Sequence, residues 1–509
     1  MFCKIHSGTI RGIEMLPVEI EVDVSPGLPS LDMVGLLSSE VREARERVRT
    51  AVKNMGETIP PKRITINLSP AGVRKDGSGF DLPIGIGILT AIGVVSPVYD
   101  MNRTVVVGEL SLDGRLRGIR GALAIAASAK EKGYERIILP GENAGEAAVV
   151  EGIDVIAADS LRDCADILNG LKKVKPEKNI VNLPPEDLQD AGQKEDFSDV
   201  NGQEVLKRAA VIAAAGRHNV LFIGPPGSGK TMVASRIATI LPAPDLGECI
   251  EITKIHSIAG ELKGESFITK RPFRSPHHTI TARAMAGGGL NVRPGEITLA
   301  HRGVLFLDEM AEYKREALEV LRQPMESKRL VITRTSGVYE FPADFMLVAA
   351  ANPCRCGYYP DRSRCRCTER EVNNYIGRIS GPLLSRIDIM ISSPVMNVGE
   401  LQKKGIRETS LELRKKVEAV RLIQSERYKG TDISFNSDLS PGDIKKYCYL
   451  GEEQKKFLRD VLQVISVSTR TYYKIIKVSR TIADLEGAVN IEKRHLAEAA
   501  GYRPELEKG

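Results

Sequence analysis

The chain has 509 residues, more than one hydrophobic core supports, so roughly two to four domains are expected. Its 42% hydrophobic and 27% charged content is that of an ordinary soluble globular protein. The 72 basic and 66 acidic side chains leave a net charge of +6, which permits nucleic-acid binding without arguing for it. No apolar run approaches a membrane span, and Met1-Phe-Cys-Lys-Ile-His6 lacks a charged start followed by an apolar stretch, so the expected location is cytoplasmic, with no membrane partner.

Residues 1–100 read as mixed α/β. Val18–Val24 and Arg63–Asn67 have strand character. Ser39–Met55 has a helical apolar stripe of Val41, Ala44, Val48 and Ala51. An apolar helix is predicted over Ile84–Ile92. Strands at Thr104–Val107, Arg136–Leu139 and Asp154–Ala157 then alternate with helices at Gly121–Lys132 and Ser160–Asn169. The glycines around Lys75 match no phosphate-loop spacing. Residues 173–204 read as a linker, being charged over Lys173–Lys178, blocked for helix by Pro184-Pro185 and polar thereafter. An amphipathic helix follows over Val205–Gly216.

The decisive stretch is Gly224-Pro225-Pro226-Gly227-Ser228-Gly229-Lys230-Thr231, which reads G-x-x-x-x-G-K-T. The apolar run Asn219–Ile223 precedes it, and Met232–Leu241 follows at helical spacing, so the order is strand, glycine loop, helix. Glycines let backbone N–H groups curl around phosphate oxygens, and the helix N-terminus adds its positive dipole end. Lys230 is then expected on the β- and γ-phosphates of ATP and Thr231 on Mg²⁺.

Val304-Leu-Phe-Leu307-Asp308-Glu309 is the apolar strand plus two carboxylates of a Walker B element. It would bring Asp308 to the Mg²⁺ shell and leave Glu309 to polarise the attacking water. Between the two motifs lie His277-His278, Gly287-Gly-Gly289 and Arg293–Ile297. Adjacent histidines with no evident carboxylate are weak evidence for a metal. Thr333–Pro342 reads as a hairpin, and Asp344–Ala351 as an apolar strand ending at Asn352.

Four of the eight cysteines crowd into fourteen residues, as Cys354-Arg-Cys356 and Cys365-Arg-Cys367. Four thiolates can close a tetrahedral structural Zn²⁺ site, and disulfides are the alternative, disfavoured in a reducing compartment. Arg355, Arg362, Arg364, Arg366 and Arg370 stud this loop, either as DNA-backbone contacts or as solvated charge. Cys3, Cys164, Cys249 and Cys448 read as packing residues.

These motifs in this order resemble the ComM/YifB family of magnesium-chelatase-like AAA+ ATPases. The resemblance is carried at the front by Gly27-Leu-Pro29, Asn67-Leu-Ser-Pro-Ala71, Lys75–Pro83, Gly108-Glu-Leu110 and Ile138–Asn143. It implies an α/β multidomain chain: a Lon-protease-like (S5-like) α/β domain over 1–172, a linker over 173–204, an AAA+ core over 205–397 with its cysteine loop, and a helical lid over 398–509. Active Lon proteases place a serine after a Lys-Asp-Gly run and a lysine base further on. Here those positions fall beside Gly79 and near Leu123, so the front domain is expected to be proteolytically silent, with Ser78 a turn residue.

The same resemblance makes Asn352 a sensor of the γ-phosphate. It makes Arg386, in Pro382-Leu-Leu-Ser-Arg386-Ile-Asp388, an arginine finger acting in trans, the bland alternative being a surface pair with Asp388. It puts a second sensor at Arg470, or else at Arg480, on a helix opening at Ser468. The implied protein is a hexameric, ATP-driven DNA helicase promoting branch migration in natural transformation and recombination, working on single-stranded or branched DNA. A chelatase-type motor acting on a partner protein and an ATP-dependent protease are the alternatives.

Overall fold

The computed structural model describes residues 1–178, 195–393 and 408–503, apart from positions 263, 290, 336 and 466–468; for 462–465 it gives the backbone only. Two sheets organise it. The first has seven strands: β1 (Phe2–Arg11), β2 (Glu14–Ser25), β3 (Ser30–Val34), β4 (Arg63–Ser69), β5 (Thr104–Val106), β6 (Arg136–Pro140) and β7 (Asp154–Ala158), in the order β3-β4-β2-β1-β5-β6-β7. β1 and β2 form a long antiparallel hairpin whose pairing runs from Phe2 with Asp23 to Arg11 with Glu14. Its two-residue turn needs a positive φ, which Gly12 supplies at 66°. Along β2, Val18, Ile20, Val22 and Val24 point into the core while Glu19, Glu21 and Asp23 face outward. The sequence reading found the second half of β2 but not β1. The inward row of β1 includes Ser7 and Thr9, both buried, which breaks the apolar alternation.

Helix α1 (Ser39–Asn54) is capped by Ser38 and lays its Val41, Ala44, Val48 and Ala51 stripe on this core. Helix α2 (Asp81–Ala91) starts three residues before its predicted position. It is buried almost throughout, because Asp81 is neutralised by a two-pronged bond from Arg47 at 2.7 and 2.9 Å.

The second sheet comprises β8 (Val220–Ile223), β9 (Phe273–Arg274), β10 (Val304–Leu307), β13 (Met346–Ala351) and β14 (Ile389–Ser392), in the order β9-β10-β13-β8-β14, all parallel. A separate hairpin of β11 (Arg329–Arg334) and β12 (Gly337–Pro342) lies between β10 and β13 in sequence. β8, β10 and β13 carry apolar residues on both faces because helices cover both sides. Helices α3 (Glu204–Gly216) and α4 (Lys230–Ile240) bury one face, and α5 (Leu246–Ala259) lies beyond them in sequence.

The C-terminal helices α6 (Ser410–Arg427), α7 (Thr469–Leu485) and α8 (Lys493–Gly501) join the same apolar core as β8, through Val417, Ile476, Ile482 and Leu496. Phe197 and Val200, within the stretch read as linker, also sit in that core, and the Phe197 N–H bonds Ser410 Oγ at 2.9 Å. Residues 179–194, Ser468 and the expected boundary at 397/398 lie outside the described residues.

The two halves touch. Arg11, at the tip of the β1–β2 hairpin, donates to the Val338 carbonyl of β12 at 3.3 Å, and Ser257 of α5 donates to the buried Glu146 carboxylate at 3.0 Å. The first contact ties the front sheet to the hairpin that leads into β13.

Candidate active site

The loop from Gly224 to Thr231 joins β8 to α4 at the carboxyl edge of the parallel sheet, where β8 lies between β13 and β14. In parallel sheets the strand ends at such a place leave a crevice for ligands. Gly227 and Gly229 have φ of 76° and 78°, which an L side chain rarely adopts. A Cβ on Gly224 would lie 2.8 Å from Ser393, so the loop packs directly on the end of β14.

Lys230 is buried, and its ammonium donates to the carbonyls of Gly224 and Pro225, each at 2.7 Å, and lies 3.4 Å from Asn352 Oδ1. Burial pushes its pKa down, against the opposing pull of Asp308 and Glu309. Carbonyl partners are weaker than phosphate oxygens for a cation, so they hold the ammonium where a phosphate can take it over. Thr231 Oγ1 donates to Asp308 at 3.1 Å, so the two expected Mg²⁺ ligands already face each other. Glu309 follows in the left-handed region at φ 50°, exposed, with its N–H on Asp308 Oδ1 at 3.0 Å. That strained turn aims the two consecutive carboxylates apart, Asp308 toward Thr231 and Glu309 outward. Lys230, Thr231, Asp308 and Asn352 therefore converge, with Glu309 adjoining through its N–H on Asp308, although 121 positions separate Thr231 from Asn352 in the chain.

Arg386 is not with them. It is mostly buried, 2.7 Å from Glu326 and bonded to the Pro382 carbonyl at 2.6 Å. It does not pair with Asp388, the bland alternative. That carboxylate accepts from the Asn219 N–H at 3.0 Å and faces Lys474 at 3.1 Å, and the buried lysine holds it far below the usual carboxylate range. Arg470 is exposed, 3.7 Å from the same Glu326 and 3.5 Å from Ser385 Oγ. Arg480 is committed elsewhere: it is buried on Asp484 at 2.9 Å and on the carbonyls of Ala488 and Val489. Arg386 and Arg470 thus share one face of the subunit, and Arg480 belongs to the packing of its own helix.

The cysteines gather into one cluster. Cys354 lies 3.3 Å from Cys356 and 3.8 Å from Cys365, Cys356 lies 3.5 Å from Cys365, and all four sulfurs fall within 4.8 Å of one another. A tetrahedral site with Zn–S bonds of about 2.3 Å has S···S edges of roughly 3.8 Å, so this donor set fits a soft divalent cation. The Tyr358 backbone N–H pulls Cys356 down to about 6, and burial pushes Cys365 up to about 12.

Models of three magnesium-chelatase segments match the chain: "Subunit ChlI of Mg-chelatase" over residues 20–143, "Magnesium chelatase, subunit ChlI" over 196–401, and "Magnesium chelatase, subunit ChlI C-terminal" over 407–503. Competence protein ComM of Haemophilus influenzae is 42% identical over 98% of this chain and 97% of its own. YifB of Escherichia coli is 40% identical over 98% and 96%. The chain belongs to the ComM/YifB family. Its relationship to magnesium-chelatase motors makes it a magnesium-chelatase-like AAA+ protein, a group for which ATP and Mg²⁺ are the expected ligands. Weaker similarity, 26% identity over about a third of this chain, links it to Lon protease 2 of Bacillus subtilis.

Side chains that the motifs did not link to them also lie against the motif residues. His278 Nδ1 lies 3.8 Å from Glu309, a carboxylate 31 positions away in the chain. Asn219 accepts from the Leu347 N–H of β13 at 2.8 Å and approaches the Arg386 carbonyl at 3.4 Å, linking β8, β13 and the Arg386 segment. Only its place one residue before the apolar run Val220–Ile223 marked it. Glu326 and Lys474 carried no signal, since single charges on amphipathic segments are usually solvated.

Proposed function

We propose that this chain is one subunit of an ATP-hydrolysing ring that drives branched DNA. The convergence of Lys230, Thr231, Asp308 and Asn352 on one loop, with Glu309 adjoining, carries the reading. Mg²⁺–ATP would be held by the N–H groups of Gly224–Thr231, by Lys230 and by Thr231 with Asp308, the metal neutralising charge on the phosphates. Glu309 orients water, Asn352 reads the γ-phosphate, Arg386 acts on the nucleotide of a neighbouring subunit, and Arg470 is the second sensor. The bond of Arg386 to Glu326 and not to its own phosphate loop supports action in trans, and with it a closed, hexameric homo-oligomer.

The layout is a Lon-like α/β domain over 1–172, a linker over 173–204, an AAA+ core over 205–397 and a helical lid over 398–509, in a cytoplasmic protein. A silent protease site is favoured by the partners of its remnants. Ser78 Oγ is bonded to Glu109, and the place of the lysine base falls near Leu123, a buried apolar side chain that cannot accept a proton.

DNA as the substrate, helicase action and branch migration in transformation and recombination rest on the family resemblance, and the Haemophilus relative's being a competence protein agrees with a DNA-related role. The exposed Arg355, Arg366 and Arg370 offer phosphate contacts. The test is the ATPase rate of the full chain with no DNA, with single-stranded DNA and with a four-way junction, alongside junction dissociation. Stimulation by DNA and ATP-dependent strand movement are expected. An unchanged rate together with no DNA binding at low salt would sink the reading.

A further inference from the structure

The segment from Asn352 to Thr368 contains no helix or strand, and its own apolar core is only Cys354, Cys365 and Val372, with Tyr358, Tyr359 and Cys367 packed around it. So small a core does not hold a seventeen-residue loop in one conformation, and small folds of this kind depend on a staple. The four sulfurs are at the separations a tetrathiolate metal requires. What the staple would hold is specific. Cys354 stands two residues after Asn352, at the end of β13. The Gly357 N–H bonds the Cys354 carbonyl at 2.9 Å, and Gly357 is buried with φ 86°. A Cβ there would lie 2.5 Å from Pro226 Cδ and 3.9 Å from Asn352 Cγ. Gly357, the residue that follows the first cysteine pair, therefore rests on Pro226 of the phosphate loop and near Asn352 at once. The second pair ends at Cys367, next to Thr368, which caps the helix Glu369–Ile376; Tyr375 and Ile376 of that helix lie in the core beneath β10 and β13.

Building on the nucleotide site proposed above, we infer that Cys354, Cys356, Cys365 and Cys367 hold one Zn²⁺. We infer further that this ion clamps Gly357 against Pro226 and Asn352, so that the ATP site is shaped only while the metal is bound. The metal takes no part in hydrolysis. It ties the sensor end of β13 to a helix of the same core and so fixes the floor on which the phosphate loop rests. Arg362 reinforces the tie by donating to the Cys367 carbonyl at 2.6 Å, with its guanidinium over Tyr359.

The test uses the full chain purified under reducing conditions with Zn²⁺ supplied, with three readouts: metal per chain by elemental analysis, affinity for a fluorescent ADP analogue, and ATP turnover at fixed Mg²⁺. Wild type should carry about one zinc, as one tetrathiolate site requires. Cys356→Ser should lose it and bind nucleotide about tenfold more weakly, the low end of what losing a metal's supporting shell costs. Gly357→Ala keeps all four sulfurs and should weaken nucleotide binding by pushing on Pro226. A zinc-selective chelator added to wild type should reproduce the Cys356→Ser loss, which covers the case in which that variant does not fold. Absence of metal from wild type overturns the site. Loss of metal with unchanged nucleotide affinity and turnover, or a silent Gly357→Ala, overturns the clamp. A zinc-loaded wild type that binds no nucleotide overturns instead the nucleotide-site reading beneath it.

Discussion

The Arg386 guanidinium lies 2.7 Å from the Glu326 carboxylate, and Arg470 approaches the same carboxylate at 3.7 Å. The Arg386 Nε is buried with no hydrogen-bond partner, so the side chain is not fully satisfied where it rests. The segment carrying it is pinned from behind: Lys474 and Arg503 donate to the Ile387 carbonyl at 2.9 and 2.6 Å. Helix α7 and Arg503, just after α8, thus both set the position of an arginine that makes no bond to the loop Gly224–Thr231.

If Arg386 serves a neighbouring subunit, Arg386→Ala should bind ATP normally and hydrolyse it at least about a thousandfold more slowly, the low end for an arginine finger. Lys230→Ala should be inactive through lost ATP binding. Mixing the two inactive proteins should restore hydrolysis, because an intact loop from one subunit meets an intact finger from the other. A mixture as inactive as its components would place both residues in the same site and remove the argument for a ring.

Arg470 and Arg480 separate by environment. Arg470 is exposed and touches only Ser385 and Glu326 among the described residues. Arg470→Ala should therefore lower turnover while leaving thermal unfolding unchanged. Arg480 shares the buried Asp484 with Arg427. Arg480→Ala should destabilise the C-terminal helices by on the order of 3 kcal/mol, as expected for breaking a buried pair. Calorimetry beside steady-state ATPase rates decides: a stable but catalytically impaired Arg480→Ala would reverse the assignment.

The legible parts of the chain were those in which neighbours in sequence do the work. Gly224–Thr231 and Val304–Glu309 each carry strand, turn and ligand within a dozen positions, so periodicity and glycine placement revealed them. The strand Val18–Val24 was visible because one face is apolar and the other acidic. β1 was not, because its buried Ser7 and Thr9 are small polar residues that the hairpin accommodates without an apolar pattern. The partners of Glu326, His278 and Asn219 were invisible for a different reason. These partners are brought to those residues by the crossovers of a parallel sheet, and a single charge or amide has no periodicity to betray it. The cysteines were legible as a cluster, but their contact with Pro226 depends on the positive φ of Gly357, which spacing does not encode.

Acid should loosen the junction between α5 and the loop before β10. Glu251 accepts from His301 at 3.1 Å and Arg302 at 2.9 Å, and these partners, the His301 bond first, hold its carboxyl down to about 2. A carboxylate with a depressed folded pKa contributes stability above its unfolded value, near 4.5, and loses it as pH falls toward about 2. Glu251→Gln should therefore unfold at lower temperature than wild type at pH 7, and the gap should shrink as pH drops from 4.5. The carboxylate is about half exposed, so the gap should be modest. A gap that stays constant down to pH 3 would show that the ion pairs contribute nothing.

Glu309 and Thr231 stand on either side of Asp308 and should fail in different ways. Glu309→Gln keeps the strand, the Asp308 contact to Thr231 and the whole phosphate loop, so ATP and Mg²⁺ should bind with wild-type affinity. Without a carboxylate to polarise water, turnover should fall by at least about a hundredfold, within the range for losing a general base. Thr231→Ala removes the hydroxyl bonded to Asp308 at 3.1 Å. Its turnover should recover partly as Mg²⁺ is raised, because the defect is in holding the ion. Titrating Mg²⁺ at saturating ATP separates the two: rescue of Glu309→Gln by metal, or none for Thr231→Ala, would exchange their roles.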